Sequence, residues 1–168
     1  MDSIIFLAFA LSYIGLIIFL WRSNSVIRLS SVLFLVLLAL VYDNLIIGIG
    51  RFIGEGDLLE TLNLGRFWLH ALFTPTLIIF SLAILQDAGV HWAKSKVAKV
   101  VAGILFLSSV GIEIVTQLKG LTIAPSEEYG ALSYSSVAEA SGPPLMIIVV
   151  IISLLVAAFI LTKRFKWW

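Results

Sequence analysis

The 168-residue chain contains no cysteine. That absence excludes a disulfide, a thiolate metal site, an iron–sulfur cluster and a cysteine nucleophile. Charge is scarce as well: 12% of the residues are Asp, Glu, Lys or Arg, about half the ~25% of an ordinary soluble domain. So few charges do not cover the surface of a water-soluble globule. The net charge of +1 provides no electrostatic footprint for nucleic acid. Motifs of catalysis and metal binding are missing too. The two histidines form no HxxxH or ExxH pair, and no serine sits on a G-x-S-x-G elbow. No internal repeat, low-complexity tract or linker to a second domain interrupts the sequence, so residues 1–168 read as one domain.

What the chain has in abundance is apolar side chains, 61% of the total, with a mean hydropathy of +1.11. They gather into five runs at about 3–21, 29–50, 67–86, 98–118 and 144–162. Each approaches the ~20 residues a helix needs to cross a ~30 Å hydrocarbon layer. None alternates as a barrel strand would. The expected fold is therefore an all-α integral membrane protein, a bundle of five transmembrane helices. The first run follows Met1-Asp2-Ser3 without a basic leader and is longer than a signal-peptide core, so it is expected to be a retained helix. The last follows Gly142-Pro143-Pro144, and proline suits a first helical turn.

Lys and Arg distribution sets the expected orientation. Arg22, Arg28, Lys94, Lys96, Lys99, Lys163, Arg164 and Lys166 fall on one side, with Asp87 the acid among them. Asp2, Glu55, Asp57, Glu60, Glu127, Glu128 and Glu139 fall on the other, against Arg51, Arg66 and Lys119. Eight bases against three place the N-terminus outside and the C-terminus in the cytoplasm, with the cell membrane as the expected location. Trp21, Trp92, Trp167 and Trp168 lie at the cytoplasmic boundary and Trp68 at the outer one, where indole rings anchor. Two outer loops follow, 51–66 and 119–143. The leucines of Asp57 to Leu64 have the spacing of a short interfacial helix. The second loop, with Pro125, Tyr129, Tyr134 and serines 133, 135 and 136, reads as a lid or a connector.

Ionisable groups inside a span cost at least ~2.5 kcal/mol on insertion scales and tend to face a bundle interior or a cavity. Asp43, His70 and Glu113 are of this kind. Helical spacing by three, four or seven extends each into a stripe. The second span carries Asn44, Gly48 and Arg51 beside Asp43; the third Arg66, His70 and Thr74, continued by Ser81; the fourth Ser109, Glu113, Thr116 and Gln117. At 1.5 Å per residue, Asp43, Glu113 and His70 lie roughly 12, 9 and 6 Å below the outer boundary, so the stripes converge at similar depth. Around Arg51, glycines 48, 50, 54 and 56 either cradle an anion or end and pack a helix. In the third span, Thr74-Pro75-Thr76 is expected to kink the helix and free the Ala71 carbonyl.

These residues point to a membrane enzyme whose site opens to the outer leaflet. Asp43, His70 and Glu113 are the candidate acid/base groups. Arg51 and Arg66 are expected to hold an anionic head of a lipid or other amphipathic substrate, with Asn44, Thr74, Thr116 and Gln117 as further binding groups. No metal ligand set is assigned and no cofactor is named; membrane lipids are the expected partners. The same residues also suit a solute or proton transporter, or the docking surface of a non-catalytic subunit.

Overall fold

The computed structural model describes residues 2–22, 32–128, 130–137 and 145–165. Pro143, Pro144, Arg28, Glu139, Lys166, Trp167, Trp168 and Tyr129, which entered the sequence reading, lie outside the described residues. Six α-helices account for most of the chain: α1 (Asp2–Arg22), α2 (Leu33–Ile53), α3 (Asp57–Phe73), α4 (Thr76–Asp87), α5 (Lys96–Glu113) and α6 (Leu145–Phe165). With α3 and α4 taken together, five helical segments are long and apolar enough to cross a membrane. A helix satisfies its own backbone groups, which is why long apolar runs adopt it where water is excluded.

Helices α1 and α2 run antiparallel, as do α2 and α3. Gly48 of α2 lies against Leu7 of α1, and Tyr42 Oη of α2 donates to the Leu62 carbonyl of α3 at 2.9 Å. At the end rich in lysine and arginine, Gly89 sits beside the Arg164 guanidinium, and Gln86 Nε2 donates to the Ala93 carbonyl at 2.9 Å. Ser95 caps α5 there by accepting from the Ala98 N–H. One apolar core, including Ile78, Leu82, Met146 and Val150, joins α4 to α6 and to the start of α5. A second, built on Ile46, Leu59 and Tyr134, lies at the acidic end.

The structure corrects the sequence reading in three places. The fold is not wholly α-helical: β1 (Ile123–Glu128) and β2 (Ala131–Ser136) form an antiparallel hairpin within the outer loop 119–143, which was read as a lid or a connector. The pairing of Glu128 with Ala131 leaves a two-residue connection, and Gly130 supplies the positive φ of 79° that such turns require. Pro125 is tolerated because the sheet has two strands and both are edges. An isolated hairpin is marginal in water. This one is held by packing: Tyr134, Leu132 and Ile123 join the α2–α3 core, and Ser3 Oγ of α1 donates to the Gly130 carbonyl at 3.3 Å.

Second, the expected loop 51–66 shrinks to residues 54–56, because α3 begins at Asp57 and continues without interruption through the predicted interfacial segment. Gly54 and Gly56, at φ 82° and 149°, make this abrupt reversal. From Asp57 to Asp87 the segment has 31 residues, or roughly 46 Å at 1.5 Å each. That exceeds a ~30 Å hydrocarbon layer, so the first turns of α3 stand beside the hairpin at the acidic end. Third, the fourth run ends in a π-helical turn, Ile114–Leu118, instead of regular α-helix. The expected proline kink falls where the α-helical bonding is interrupted between α3 and α4: Thr74 and Pro75 keep helical dihedrals, Leu77 N–H donates to the Thr74 carbonyl, and Thr76 Oγ1 donates to the Phe73 carbonyl.

The glycines of α2 serve close approach. A Cβ built on Gly50 meets the Leu132 carbonyl oxygen at 2.0 Å, and backbone cannot yield as a side chain does. Gly50→Ala is therefore expected to destabilise the protein by about 1–3 kcal/mol, as overpacking does. Gly103 of α5 has open space around it, so Gly103→Ala should stabilise by about 0.5–1 kcal/mol through helix propensity. Thermal unfolding of both variants in detergent reads the contrast; equal midpoints would contradict the seating of β2 on α2.

Candidate functional site

A cavity of about 410 Å³ lies among α2, α3, the α5 terminus and α6. Its polar lining is Asp43 from α2, Arg66, His70 and Thr74 at the end of α3, Glu113 from α5 and Gln117 from the π turn. Val36, Ala39 and Leu40 of α2, with Phe67, Leu118 and Ile147, make the apolar walls. The opening has a simple origin. Both α2 and the end of α5 meet α3, while α2 and α5 approach each other little, leaving a gap beside α3.

The cavity gathers six of the nine residues picked out from the sequence. Helix periodicity accounts for the α3 set: Arg66, His70 and Thr74 are separated by four residues each and share a face. Asn44, Arg51 and Thr116 are absent from its lining. Asn44 is buried and donates to the Leu40 carbonyl of its own helix at 2.8 Å. Arg51 is exposed in the last turn of α2, and the surrounding glycines are occupied with packing and turning the chain, so no two-arginine anion clamp forms. Thr116 is exposed and returns its hydroxyl to the Ile112 carbonyl at 2.9 Å. In the widened π turn Gln117 lines the cavity, whereas Thr116 does not. Such turns recur at functional sites.

Within the cavity the ionisable groups divide in two. Asp43 Oδ1 accepts from Arg66 Nε at 2.8 Å in a salt bridge. Arg66 Nη1 donates to Asn63 Oδ1, one turn earlier on α3. Among the described residues Nη2 of Arg66 makes no hydrogen bond. His70 Nδ1 shares a hydrogen bond of 3.1 Å with Thr74 Oγ1, which holds the ring from one side. Glu113 lines the cavity with His70 and makes no salt bridge among the described residues. No three His, Asp or Glu side chains among the described residues are grouped closely enough to hold a metal ion. Asp43 is paired with Arg66, whereas His70 and Glu113 line the same cavity without an ion pair between them among the described residues.

Asn63 is the residue that sequence reasoning missed. It is completely buried, and both of its side-chain polar atoms are hydrogen-bonded. Its Nδ2 donates to the Leu59 carbonyl at 2.7 Å; its Oδ1 accepts from Arg66 and, at 3.1 Å, from the Tyr134 N–H of β2. Tyr134 in turn accepts at its hydroxyl from the Gly56 N–H at 3.1 Å, bracing the α2–α3 turn. One signal was available. Asn63 lies three residues before Arg66 and seven before His70, on the same helical face.

No protein-family model, curated protein or solved structure matches the chain.

The Asn63 link makes a sharp expectation. In Asn63→Leu the buried Tyr134 N–H loses its acceptor, at a cost of about 1–3 kcal/mol, and Arg66 loses a positioning bond. Asn63→Asp keeps the acceptor oxygen and should cost less. Hydrogen exchange at the Tyr134 amide, expected to accelerate in Asn63→Leu, measures the loss directly; unchanged protection would show that the hairpin does not depend on this bond.

Proposed function

We propose that the chain is a multi-pass membrane protein, with the hairpin and the start of α1 outside and the basic end in the cytoplasm, and that it acts on a lipid or other amphipathic substrate by acid/base chemistry. The orientation rests on the eight Lys and Arg residues of one side against three of the other. The cell membrane is the location that fits it. The enzymatic reading rests on one observation: a single cavity lines apolar walls with a carboxylate, an imidazole and an ion pair contributed by separate helices. An isolated packing network needs no such space.

In this reading the substrate enters sideways between α2 and α5. Its apolar part lies along Val36, Ala39 and Leu40, and its polar head meets His70 and Glu113. An imidazole and a carboxylate lining one cavity provide a proton acceptor and a proton donor for one reacting group. Thr74 orients the imidazole through Nδ1, so Nε2 is the nitrogen left for the substrate. Asp43 and Arg66 shape the floor and set the field.

A transporter needs polar groups continuing toward the cytoplasm, and the lining argues against that reading. Beyond the Thr74–Pro75 break, the Thr76 and Ser81 hydroxyls are buried and return to the Phe73 and Leu77 carbonyls of their own segment. The cavity lining includes neither.

Two experiments test these readings. With no native cysteine, single replacements make clean labels: Ser135→Cys in β2 should react with an impermeant maleimide on intact cells, and Lys94→Cys only after permeabilisation. The reverse pattern would invert the orientation. For the chemistry, His70→Ala and Glu113→Gln are each expected to lower lipid turnover in membranes by at least about 10²-fold, the usual contribution of a general acid or base. Asp43→Asn should also reduce it, through Arg66. Turnover unchanged in all three would remove the assignment, and solute flux in sealed vesicles without turnover would favour transport.

A further inference from the structure

The balance of charge in the cavity bears on what it binds. Its lining carries two carboxylates, Asp43 and Glu113, against one guanidinium, Arg66. Arg66 is already matched: Nε is paired with Asp43 at 2.8 Å and Nη1 is bound to Asn63. Glu113 has no such partner among the described residues. Arg51, the second base expected to hold an anion, is exposed elsewhere on α2 and does not line the space. An anionic head entering here meets two carboxylates and finds Arg66 already engaged at Nε and Nη1, with Nη2 alone left to receive it. A cationic head completes a charge that the protein leaves open.

We propose that the polar head bound in this cavity is the ammonium group of an amphipathic primary amine, with Glu113 as its counter-ion. The proposal rests on the reading of the cavity as an amphiphile site and adds the sign and type of the head. An ammonium has three donors, and the lining offers three acceptors of the right kind: the Glu113 carboxylate, the Gln117 amide oxygen and an imidazole nitrogen of His70. A quaternary ammonium has no donors and is recognised by several aromatic faces. Phe67 is the single Phe, Tyr or Trp among the lining residues, which favours the primary amine. From Asp43 to Val36 the apolar wall of α2 runs seven residues, roughly 10 Å, so the tail lies toward the basic end with the head at the level of Glu113.

The test uses the full chain in phosphatidylcholine nanodiscs. Dodecylamine, dodecanoate and dodecanol are titrated, and binding is measured against empty nanodiscs by the shift in thermal unfolding. Dodecylamine should bind at least about tenfold more tightly than dodecanoate and lose at least about tenfold in Glu113→Gln, while Arg66 remains intact. Glu113→Asp, which keeps the charge, should retain most of the affinity. Tighter binding of dodecanoate, lost in Arg66→Gln, would overturn the cationic head and leave the amphiphile site standing. Equal binding of all three compounds, insensitive to both substitutions, would overturn the site itself. Should Glu113→Gln fail to fold, the amine-to-carboxylate ratio of the unsubstituted protein decides the question alone.

Discussion

A single guanidinium holds the acidic end of this protein together. Arg66 reaches from α3 to Asp43 on α2 and back to Asn63, and Asn63 carries the connection to the backbone of the hairpin at Tyr134. A charge among apolar helices persists only when it is paired and hydrogen-bonded. The pairing requirement therefore dictates where α2 stands relative to α3, and the Tyr42 bond to Leu62 repeats the constraint one turn away. The hairpin is held by the same requirement, since the Tyr134 N–H is buried and Asn63 is its acceptor.

The cavity is a consequence of this arrangement. With α2 pinned to α3 on one side and the end of α5 meeting it on the other, a space is left open between them, and Pro75 interrupts the helix next to Thr74 of its lining. A proline that breaks the ladder inside a span is tolerated when nearby hydroxyls take up freed carbonyls, as Thr76 does for Phe73. The groups left without a fixed partner, Glu113 and one face of His70, are those that look into the space. Structural demand and chemical opportunity are thereby separated: Asp43, Arg66 and Asn63 are committed to one another, and Glu113 and His70 are not.

Much of this was legible in the sequence, for a definite reason. Apolar runs of span length report helices because a backbone out of water must satisfy itself, and all five appear. Polar residues at spacings of four report a shared face, and Arg66, His70 and Thr74 do line one cavity with Asp43, Glu113 and Gln117. The failures have equally definite causes. Thr116 and Gln117 were both assigned by helical spacing, and of the two only Gln117 lines the cavity, the segment there being a π turn. Arg51 stood near the expected mouth, but α3 begins at Asp57, so the loop thought to bring both arginines together is three residues long. Asn63 was hidden in a segment read as interfacial. The hairpin was unreadable because its stability comes from Gly50, Tyr134 and Asn63, which are far apart in the chain.

The sequence by itself determined the number of long helices, their apolar character, the asymmetry of charge between the two ends and the face that carries the ionisable groups. These are local properties, set by composition and by a period of 3.6 residues. Only the tertiary structure decided which ionisable groups are paired, where the space between helices remains, and that residues 123–136 fold back as a hairpin over α2 and α3. Pairing and cavities depend on which helices meet and at what level. No window of the sequence contains that information, because it arises from contacts such as Asp43 with Arg66 and Asn63 with Tyr134.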